Sequence, residues 1–321
     1  MADPRSPRPA PGPLDRRGVE RDDPDLLPRL LAEPGTRVVE LSGGRAPVVE
    51  SGGEVRVVDR APAPGDEEAL AFFLGRESTD TSGAAHVVVV LPAGPDGQDP
   101  TGSEVTQEVT WQGIRDVGAA LADGDLDRLM TGVALANWHA SHPHCPRCGA
   151  RTHPVNAGWV RRCEADGSDH FPRSDPAVIM AVLDPDDRLL LARNPAWPAG
   201  RRSVLAGFVE PGERLEEAVA REVAEEVGIV VGDVAYAGSQ PWPFPASLML
   251  GFTARATTGE IVCDPAEIAE ADWFTREELA TAVADGSLGL PGRTSIARRL
   301  VEGWYGTRIV PPAEVSFHRP D

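Results

Sequence analysis

The chain has 321 residues and a formal net charge of −19 at pH 7. That length suffices for two or three domains of about 100 to 200 residues, each with a buried core. The excess of acidic residues argues against a surface that coats nucleic acid, because phosphate contacts need clustered lysine and arginine. The chain starts without the apolar segment of a signal peptide, and no later segment approaches the roughly 20 apolar residues that cross a bilayer. We therefore expect a cytoplasmic protein with no membrane partner.

The N-terminal part of the chain shows secondary structure but no chemistry. Residues 1–25 are rich in proline, arginine and aspartate, which predicts a disordered arm. From 26 to about 125, the β-rich runs TRVVEL, EVRVVDR and AHVVVVLPA alternate with glycine and proline turns, whereas EEALAFFLG is predicted as a short helix. Two helical stretches follow, TWQGIRDVGAALADG and LDRLMTGVALANWHASH. We interpret 26–140 as an α+β domain.

A cluster of cysteines follows this domain. Cys145 and Cys148, in CPRCG, have the spacing of a metal-binding knuckle, and Cys163 follows 15 residues after Cys148. In a chain of this size, cysteines at such spacing indicate a metal site more than a disulfide framework. We therefore expect a small zinc ribbon over 141–174.

The fourth ligand of that zinc is less obvious. A regular ribbon would place a cysteine where this chain has Asp166. Cys263 lies on a predicted strand far along the chain and is a poor candidate. Because zinc accepts carboxylate and imidazole, Asp166 or His170 could complete the site. The alternative is a remnant that folds without metal.

Strands and helices alternate from Asp175 to about Gly306, without an internal repeat. PAVIMAVLD and RLLLARN flank an Asp-Pro-Asp-Asp turn, EIVCD is predicted as a strand, and IARRLVEGW as a helix. The most informative stretch is GFVEPGERLEEAVAREVAEEVGI, Gly207–Ile229. Its glycines and proline predict a tight loop, followed by a helix over Glu213–Val227 that Gly228 ends.

Three carboxylates lie on one arc of this predicted helix. Glu222, Glu225 and Glu226 stand beside its apolar stripe. At a buried edge they would repel one another and lose hydration, unless divalent cations neutralise them. Oxygen ligands in this arrangement suit Mg²⁺ or Mn²⁺, which also bind and polarise a diphosphate. The alternative is a solvated, glutamate-rich helix face.

The spacing of the stretch favours the metal site. The pattern G-x5-E-x7-R-E-x-x-E-E-x-G is met at every position from Gly207 to Gly228. It resembles the Nudix box, the signature of hydrolases that split a nucleoside diphosphate linked to another moiety. The resemblance implies a Nudix α/β/α sandwich with a mixed sheet over 175–306. It also implies catalytic roles for four residues. Glu222, Glu225 and Glu226 would bind the metal, Glu225 or Glu226 would also place the attacking water, and Arg221 would hold a glutamate in position.

The run SQPWPFPAS, 239–247, begins ten residues after Ile229. Alternating prolines restrict the backbone of such a loop and preorganise its rings and polar groups. Gln240 offers a donor and an acceptor, Trp242 an aromatic surface and Ser247 a hydroxyl. The alternative is a polyproline segment that is presented to a partner or plugs the core.

The zinc ribbon, the Nudix box and the run SQPWPFPAS together resemble the bacterial NADH pyrophosphatases, also described as NAD-capped RNA hydrolases. The run matches the family's diagnostic SQPWPFPxS at every position. In that family an N-terminal domain, a zinc ribbon and a Nudix domain form a homodimer with shared active sites. The resemblance implies that Phe208 stacks on one face of the bound base. It further implies that Phe171 of the second subunit, where the family often has tyrosine, covers the other face. Glu270, at the start of a predicted helix, matches the family's additional metal-binding glutamate.

We therefore expect an α+β multidomain hydrolase, dependent on Mg²⁺ or Mn²⁺ and carrying a structural zinc. It would convert NADH or NAD⁺ into nicotinamide mononucleotide and AMP and remove 5′ NAD caps from RNA. A first alternative is a Nudix hydrolase that prefers ADP-ribose or dinucleoside polyphosphates, which leaves SQPWPFPAS unexplained. A second is a non-catalytic nucleotide- or RNA-binding zinc-ribbon protein, against which the intact glutamates argue. Residues 307–321 are expected to form a C-terminal tail.

Overall fold

The computed structural model of the chain describes residues 14–77, 83–92 and 109–310. The chain divides into two compact units. The first comprises Met1–Arg173 together with Pro243–Ala246, and the second comprises Ser174–Trp242 together with Ser247–Asp321. The N-terminal domain and the ribbon expected from the sequence thus fall within one unit. Among the described residues, no helix has the length and apolar character needed to span a membrane.

The first unit contains eight strands and three α-helices before the ribbon begins, counted over the described residues. The strands are β1 Leu14–Asp15, β2 Arg37–Leu41, β3 Arg45–Ser51, β4 Glu54–Val57, β5 Asp59–Arg60, β6 Leu70–Glu77, β7 Ala85–Val90 and β8 Val109–Gly113. The helices are α1 Leu26–Ala32, α2 Ile114–Val117 and α3 Asp123–Ser141. One sheet has the order β1-β6-β7-β2-β5, with β2 and β7 parallel and the other neighbours antiparallel. The other has the order β4-β3-β8.

The helix predicted for EEALAFFLG is wrong, because this stretch contains strand β6. Neighbouring strands pair with both of its edges, β1 on one side and β7 on the other. Its side chains alternate between two buried clusters: Phe72 and Leu74 lie in one, Ala71 and Phe73 in the other. A strand that is covered on both faces has a continuous apolar run instead of an alternating one, and such a run resembles a short buried helix in sequence.

Two other expectations for the first unit need correction. TWQGIRDVGAALADG was predicted as one helix, but it contains β8 and the single turn α2, and its end opens α3. The expected disordered arm is ordered from Leu14 onward, where β1 pairs with β6 and a 3₁₀-helix spans Gly18–Asp22. Residues 1–13 of that arm and 311–321 of the expected tail lie outside the described ranges.

The ribbon is a three-stranded antiparallel sheet within the first unit. It consists of β9 Thr152–Val155, β10 Val160–Cys163 and β11 Asp169–His170, in the order β11-β10-β9. The buried guanidinium of Arg161 donates to the Thr152 hydroxyl at 2.6 Å and contacts Nδ1 of His139 at 2.7 Å. The first bond joins β10 to β9, and since His139 belongs to α3, the second attaches the ribbon sheet to the helix that precedes it.

The second unit is built on a mixed six-stranded sheet. Its strands are β12 Asp175–Leu183, β13 Leu189–Arg193, β14 Leu205–Phe208, β15 Val231–Trp242, β16 Ser247–Ala256 and β17 Glu270–Phe274. Their order is β15-β16-β12-β13-β17, and β14 also pairs with β12. β12 and β16 are parallel, and the other pairs are antiparallel. The helices are α4 Leu215–Val227, α5 Arg276–Ala284 and α6 Ile296–Tyr305.

Helices cover both faces of this sheet. Val178 and Met180 of β12 pack in one buried cluster with the apolar stripe of α4, whereas Ile179 and Ala181 pack in another with α5 and α6. Alternate residues of one strand therefore face opposite helical layers. This arrangement confirms the expected α/β/α sandwich with a mixed sheet.

Three local expectations for the second unit change. EIVCD is not a strand, so Cys263 lies in the connection that precedes β17. Glu270 begins β17, and the following helix α5 starts only after Thr275, whose side chain caps it. SQPWPFPAS is partly strand: its first four residues end β15, its last begins β16, and Pro243–Ala246 form the turn. β15 is an edge strand, where a proline is tolerated because one side of the strand needs no ladder hydrogen bond.

Candidate functional site

The loop before α4 brings the backbone against the first carboxylate. Glu222 is buried, and a Cβ atom on Gly207 would lie 1.8 Å from its carboxyl carbon. No side chain fits at position 207 while Glu222 keeps this place. The glycine at the start of the box is therefore required by a close approach to a carboxylate.

Arg221 holds the glutamates of this region together. Its Nε donates to Oε1 of Glu213 at 2.7 Å, and its Nη2 donates to the backbone oxygen of Phe208 at 2.9 Å. Its Nη1 donates to Oε1 of Glu222 at 2.8 Å and to Oε2 of Glu225 at 3.0 Å. These charge-assisted bonds fix the loop and two of the three helix carboxylates. Arg221, for which the resemblance implies a positioning role, thus donates to three glutamates of this region.

Glu226 is the most perturbed carboxylate of the group. Its side chain is buried, and within the described part of the chain its Oε2 atom has no hydrogen-bond partner. Burial, together with the charges of the neighbouring carboxylates of Glu222, Glu267 and Glu225, raises the pKa of Glu226 to about 8. Burial likewise raises the pKa of Glu222. Glu225 differs, because 62% of its side chain is exposed.

This donor set fits a hard divalent cation. A buried carboxylate oxygen without a partner costs free energy that a cation would recover. The facing carboxylates are oxygen ligands of the type that Mg²⁺ and Mn²⁺ prefer. The unpartnered Glu226 oxygen and the neighbouring carboxylates thus give a physical reason for a cation to bind here.

Of two neighbouring glutamates, Glu267 lines the same cleft as Glu226, whereas Glu270 is ion-paired with Arg193 and Arg202. Glu270 forms ion pairs of 2.8 Å with Arg193 and 2.7 Å with Arg202, and these lower its pKa. Glu267 lies three residues earlier, in the turn before β17, and its charge acts on Glu226 and Glu222. The assignment of Glu270 assumed that a helix begins there, whereas the chain is extended and paired with β13.

A cleft of about 400 Å³ in the second unit contains Glu226 and Glu267. Trp242 and Met249 line it from the β15–β16 hairpin, and Trp197 and Arg201 line it from the loop between β13 and β14. In the sheet, β16 of the hairpin lies next to one edge of β12, and β13, from which the loop starts, lies next to the other edge. The cleft therefore extends across β12, with carboxylates and aromatic rings among its lining residues. A second, larger cavity of about 650 Å³ has none of the four glutamates in its lining.

The polar residues of the proline run have different surroundings. Gln240 is buried, its amide nitrogen donates to the Thr294 backbone oxygen at 2.5 Å, and its amide oxygen accepts from the Ile296 N–H at 2.7 Å. Gln240 therefore holds the first turn of α6 while lining the cleft. Ser247 pairs with Trp242 across the hairpin. Of the three expected contacts, the structure places Gln240 and Trp242 in the cleft wall and does not place Ser247 there.

Two aromatic side chains expected to stack on a base are solvent-exposed. Phe208 ends β14 in the second unit and is 58% exposed. Phe171 follows the ribbon strand β11 in the first unit and is 68% exposed. Large apolar rings at this exposure are available for a ligand or a partner chain.

The cysteine knuckle forms a four-residue group. Ligand atoms of Cys145, Cys148, Cys163 and Asp166 all lie within 4.8 Å of one another. The Sγ atoms of Cys148 and Cys163 are 3.5 Å apart, too far for a disulfide and close to the roughly 3.8 Å expected for two thiolates on one tetrahedral zinc. This donor set fits zinc.

Ser168 distinguishes the two candidates for the fourth position. Its hydroxyl and its backbone N–H both donate to Oδ1 of Asp166, and they lower the pKa of this carboxyl to about 2. The same hydroxyl lies 3.2 Å from Nε2 of His170, which is not part of the four-residue group. The geometry thus favours Asp166, kept ionised by the turn that presents it.

Sequence reasoning missed Glu267 and the loop residues Trp197 and Arg201. The signal for Glu267 was its position three residues before Glu270, in a run with two equally plausible glutamates. Trp197 and Arg201 stand in NPAWPAGRR, a segment to which the sequence analysis assigns no role.

Comparison with known proteins identifies two regions. Residues 173–290 match the NUDIX domain family, and residues 140–171 match the NADH pyrophosphatase zinc ribbon domain. The chain is 39% identical over 305 residues to the NAD-capped RNA hydrolase NudC of Mycobacterium bovis, covering 91% of this chain and 94% of the relative. It is 43% identical over 206 residues to that of Stutzerimonas stutzeri, covering 64% and 71%. A Nudix hydrolase structure from Nitrosomonas europaea aligns at 19% identity with a TM-score of 0.39, over 51% of this chain and 94% of that one.

Proposed function

Because the chain belongs to the Nudix hydrolases and, within them, to the family of the NAD-capped RNA hydrolases, we propose that it hydrolyses the pyrophosphate bond of NADH and NAD⁺. The products are nicotinamide mononucleotide and AMP, and the same reaction removes NAD from the 5′ end of RNA. The observation that carries this proposal is the buried Glu226 carboxylate in a cleft that also contains aromatic rings.

The metal site consists of Glu222, Glu225, Glu226 and Glu267. When bound there, Mg²⁺ or Mn²⁺ supplies charge neutralisation and polarisation of the diphosphate. The support for Glu267 in place of Glu270 is electrostatic, since the charge of Glu267 acts on both buried glutamates of α4. Arg221 keeps two of the four carboxylates oriented before any cation arrives.

Glu226 also orients the attacking water. Its Oε2 atom is the buried acceptor without a partner among the described residues, so it can accept a proton from water that attacks phosphorus. The new bond joins the water oxygen to one phosphorus, the anhydride P–O bond breaks, and the departing nucleotide leaves as a phosphate monoester. The anhydride is cleaved without any covalent link to the protein.

The active form is a homodimer in which each site uses a ring from both subunits. Phe208 stacks on one face of the bound base, and the partner's Phe171 covers the other. The exposure of both rings supports this arrangement. Phe208 is 58% exposed and Phe171 is 68% exposed, and covering an apolar ring by a ligand or a partner chain lowers the free energy. Phenylalanine retains the stacking surface at position 171 but offers no hydroxyl to a ligand.

A structural zinc is held by Cys145, Cys148, Cys163 and Asp166, with Asp166 as the fourth ligand. All four cysteines of the chain are free of disulfides. Thiolates that bind zinc must stay reduced, which supports a cytoplasmic setting.

Turnover of NADH tests the proposal. Purified protein with Mg²⁺ or Mn²⁺ should release AMP and reduced nicotinamide mononucleotide, separated by chromatography, and should convert NAD⁺ and NAD-capped RNA in the same way. Rapid cleavage of ADP-ribose with no AMP from any nicotinamide dinucleotide would reject it in favour of another Nudix substrate. Binding without any cleavage would favour the non-catalytic alternative.

A further inference from the structure

The turn that carries Glu267 is attached by its backbone to the catalytic helix. The Asp264 N–H donates to the backbone oxygen of Glu226 at 2.9 Å. The Asp264 oxygen in turn accepts from the N–H groups of Glu267 at 3.2 Å and Ile268 at 2.8 Å. Ile268 packs in the buried cluster that contains the apolar stripe of α4. One end of the turn is therefore fixed to Glu226, which lines the same cleft as Glu267.

Strand pairing holds the other end of this turn. β13 and β17 pair with Arg193 opposite Glu270, and the Ala269 N–H donates to the Arg193 oxygen at 2.8 Å. Beyond this bond the two chains separate, because Asn194 enters the loop that leads to β14 and Glu267 lies in its turn. The backbone of Glu267 thus lies past the end of the β13–β17 ladder.

The side chain of Asn194 bridges this gap. Its Nδ2 donates to the backbone oxygen of Glu267 at 3.2 Å. Its Oδ1 accepts from the Ala196 N–H at 2.9 Å, and its backbone oxygen accepts from the Trp197 N–H at 2.9 Å. Both polar atoms of the amide are engaged, so the side chain is held in one orientation. Asn194 thereby joins the start of the loop to the turn that carries a carboxylate of the cleft.

Glu267 needs such support more than the carboxylates of α4. Arg221 orients Glu222 and Glu225 by hydrogen bonds, and burial confines Glu226. Glu267 is exposed, and within the described ranges no side chain donates to its carboxylate. An exposed carboxylate without a partner loses rotamer freedom when it binds a cation, and a fixed backbone limits that loss. The backbone bonds of the turn are therefore what places this carboxylate.

We propose that Asn194 is a positioning residue for the divalent cation. Its hydrogen bond to the Glu267 backbone holds this carboxylate beside those of α4, so that Glu267 and Glu226 can share a cation. The inference rests on the proposed function, because it concerns the metal site assigned there. Asn194 acts through Glu267 and contacts neither the cation nor the substrate in this role. Its removal therefore lowers metal affinity and leaves the chemical step intact.

Calorimetric titration of Mn²⁺ into the full chain, without substrate, tests this role. Asn194→Ser keeps an acceptor for the Ala196 N–H but is too short to reach Glu267. We expect its Mn²⁺ dissociation constant to rise about three- to tenfold, as for the loss of one hydrogen bond that orients a ligand. In a Glu267→Gln background the same substitution should change the constant by less than about twofold, because the two residues act as one unit. Equal rises in both backgrounds, or no rise in either, would overturn the positioning role.

Turnover of NADH gives a second measurement. In Asn194→Ser, the Mn²⁺ concentration for half-maximal activity should rise by the same factor as the dissociation constant. The value of kcat at saturating Mn²⁺ should stay within about twofold of wild type, because the cation site is complete once it is filled. A higher KM for NADH with unchanged Mn²⁺ affinity would assign the Asn194 amide to substrate binding and overturn the positioning role.

Thr258→Val provides the matched control. It removes a hydrogen bond of 3.0 Å between a side chain and the Val230 N–H elsewhere in the second unit. Mn²⁺ affinity and activation should equal those of wild type, whereas a rise like that of Asn194→Ser would indicate general loosening and overturn the role. Because Mn²⁺ binding is measured without turnover, a chain that cleaves no dinucleotide would reject the proposed function alone.

Discussion

Replacing Glu226 by glutamine should make the metal-free protein more stable at high pH. The folded state raises the pKa of Glu226 to about 8 from its usual 4.5. Between these values the folded carboxyl holds a proton that the unfolded chain has released, so stability falls as pH rises. At about 1.4 kcal/mol per pH unit, the loss reaches about 3 kcal/mol at pH 7 and about 5 kcal/mol above pH 8.

Glu226→Gln removes this loss, because the amide stays neutral at every pH. A buried amide with incomplete hydrogen bonding costs about 1 to 3 kcal/mol. We therefore expect the variant to exceed wild type by about 1 to 3 kcal/mol at pH 8 and to be less stable than wild type by up to about 2 kcal/mol at pH 5. Turnover should fall at least about a hundredfold, because the variant lacks the carboxylate that accepts a proton from water.

Urea unfolding with a chelator at pH 5, 6.5 and 8 measures the effect, and the pH slope is the decisive quantity. Glu216→Gln, an exposed glutamate on the same helix, serves as the control and should keep the wild-type slope. Added Mn²⁺ should stabilise wild type more than Glu226→Gln at pH 8. If Glu226→Gln retained the wild-type fall in stability between pH 5 and 8, the buried carboxylate would not be its cause.

Three further substitutions test other parts of the site. Glu267→Gln should weaken Mn²⁺ binding in calorimetry by at least about tenfold, whereas Glu270→Gln should leave it nearly unchanged; the reverse order would restore Glu270 as the ligand. Asp166→Ala should lower the zinc-to-protein ratio measured by elemental analysis, and His170→Ala should not; an unaltered ratio in Asp166→Ala excludes that ligand. Gln240→Leu should cost about 2 to 3 kcal/mol in urea unfolding, because the first turn of α6 loses two partners. If Gln240→Leu instead kept the wild-type stability and bound the substrate more weakly, the Gln240 amide would be assigned to substrate binding.

The catalytic helix could be predicted closely from the sequence because its features are local. Gly207, Gly228 and the glutamates occupy fixed spacings on one loop and one helix, and only the start of the helix shifted, from Glu213 to Leu215. The cysteine knuckle is local for the same reason. The preference for Asp166 in its fourth position depends on the turn at Ser168, whose hydroxyl and backbone N–H both donate to the Asp166 carboxylate.

Features that depend on strand pairing could not be predicted from one sequence. EEALAFFLG becomes a strand because β1 and β7 lie on its two edges, and both partners are distant in the chain. The choice between Glu267 and Glu270 depends on the register of β17, in which Glu270 pairs with Arg193. A shift of a few residues along such a strand changes which side chain reaches the cleft.

The edge strand β15 has a consequence for the behaviour of the protein in concentrated solution. Twelve residues of strand at the margin of a sheet are a template on which a strand from another molecule can add. Here the pairing register shifts twice, between Gly232 and Ala235 and between Tyr236 and Gly238, and Pro241 removes one backbone donor. Irregular spacing and a missing donor make this margin a poor template for aggregation. Pro241 thus contributes to the protein's colloidal stability, and replacing it would sacrifice part of that protection.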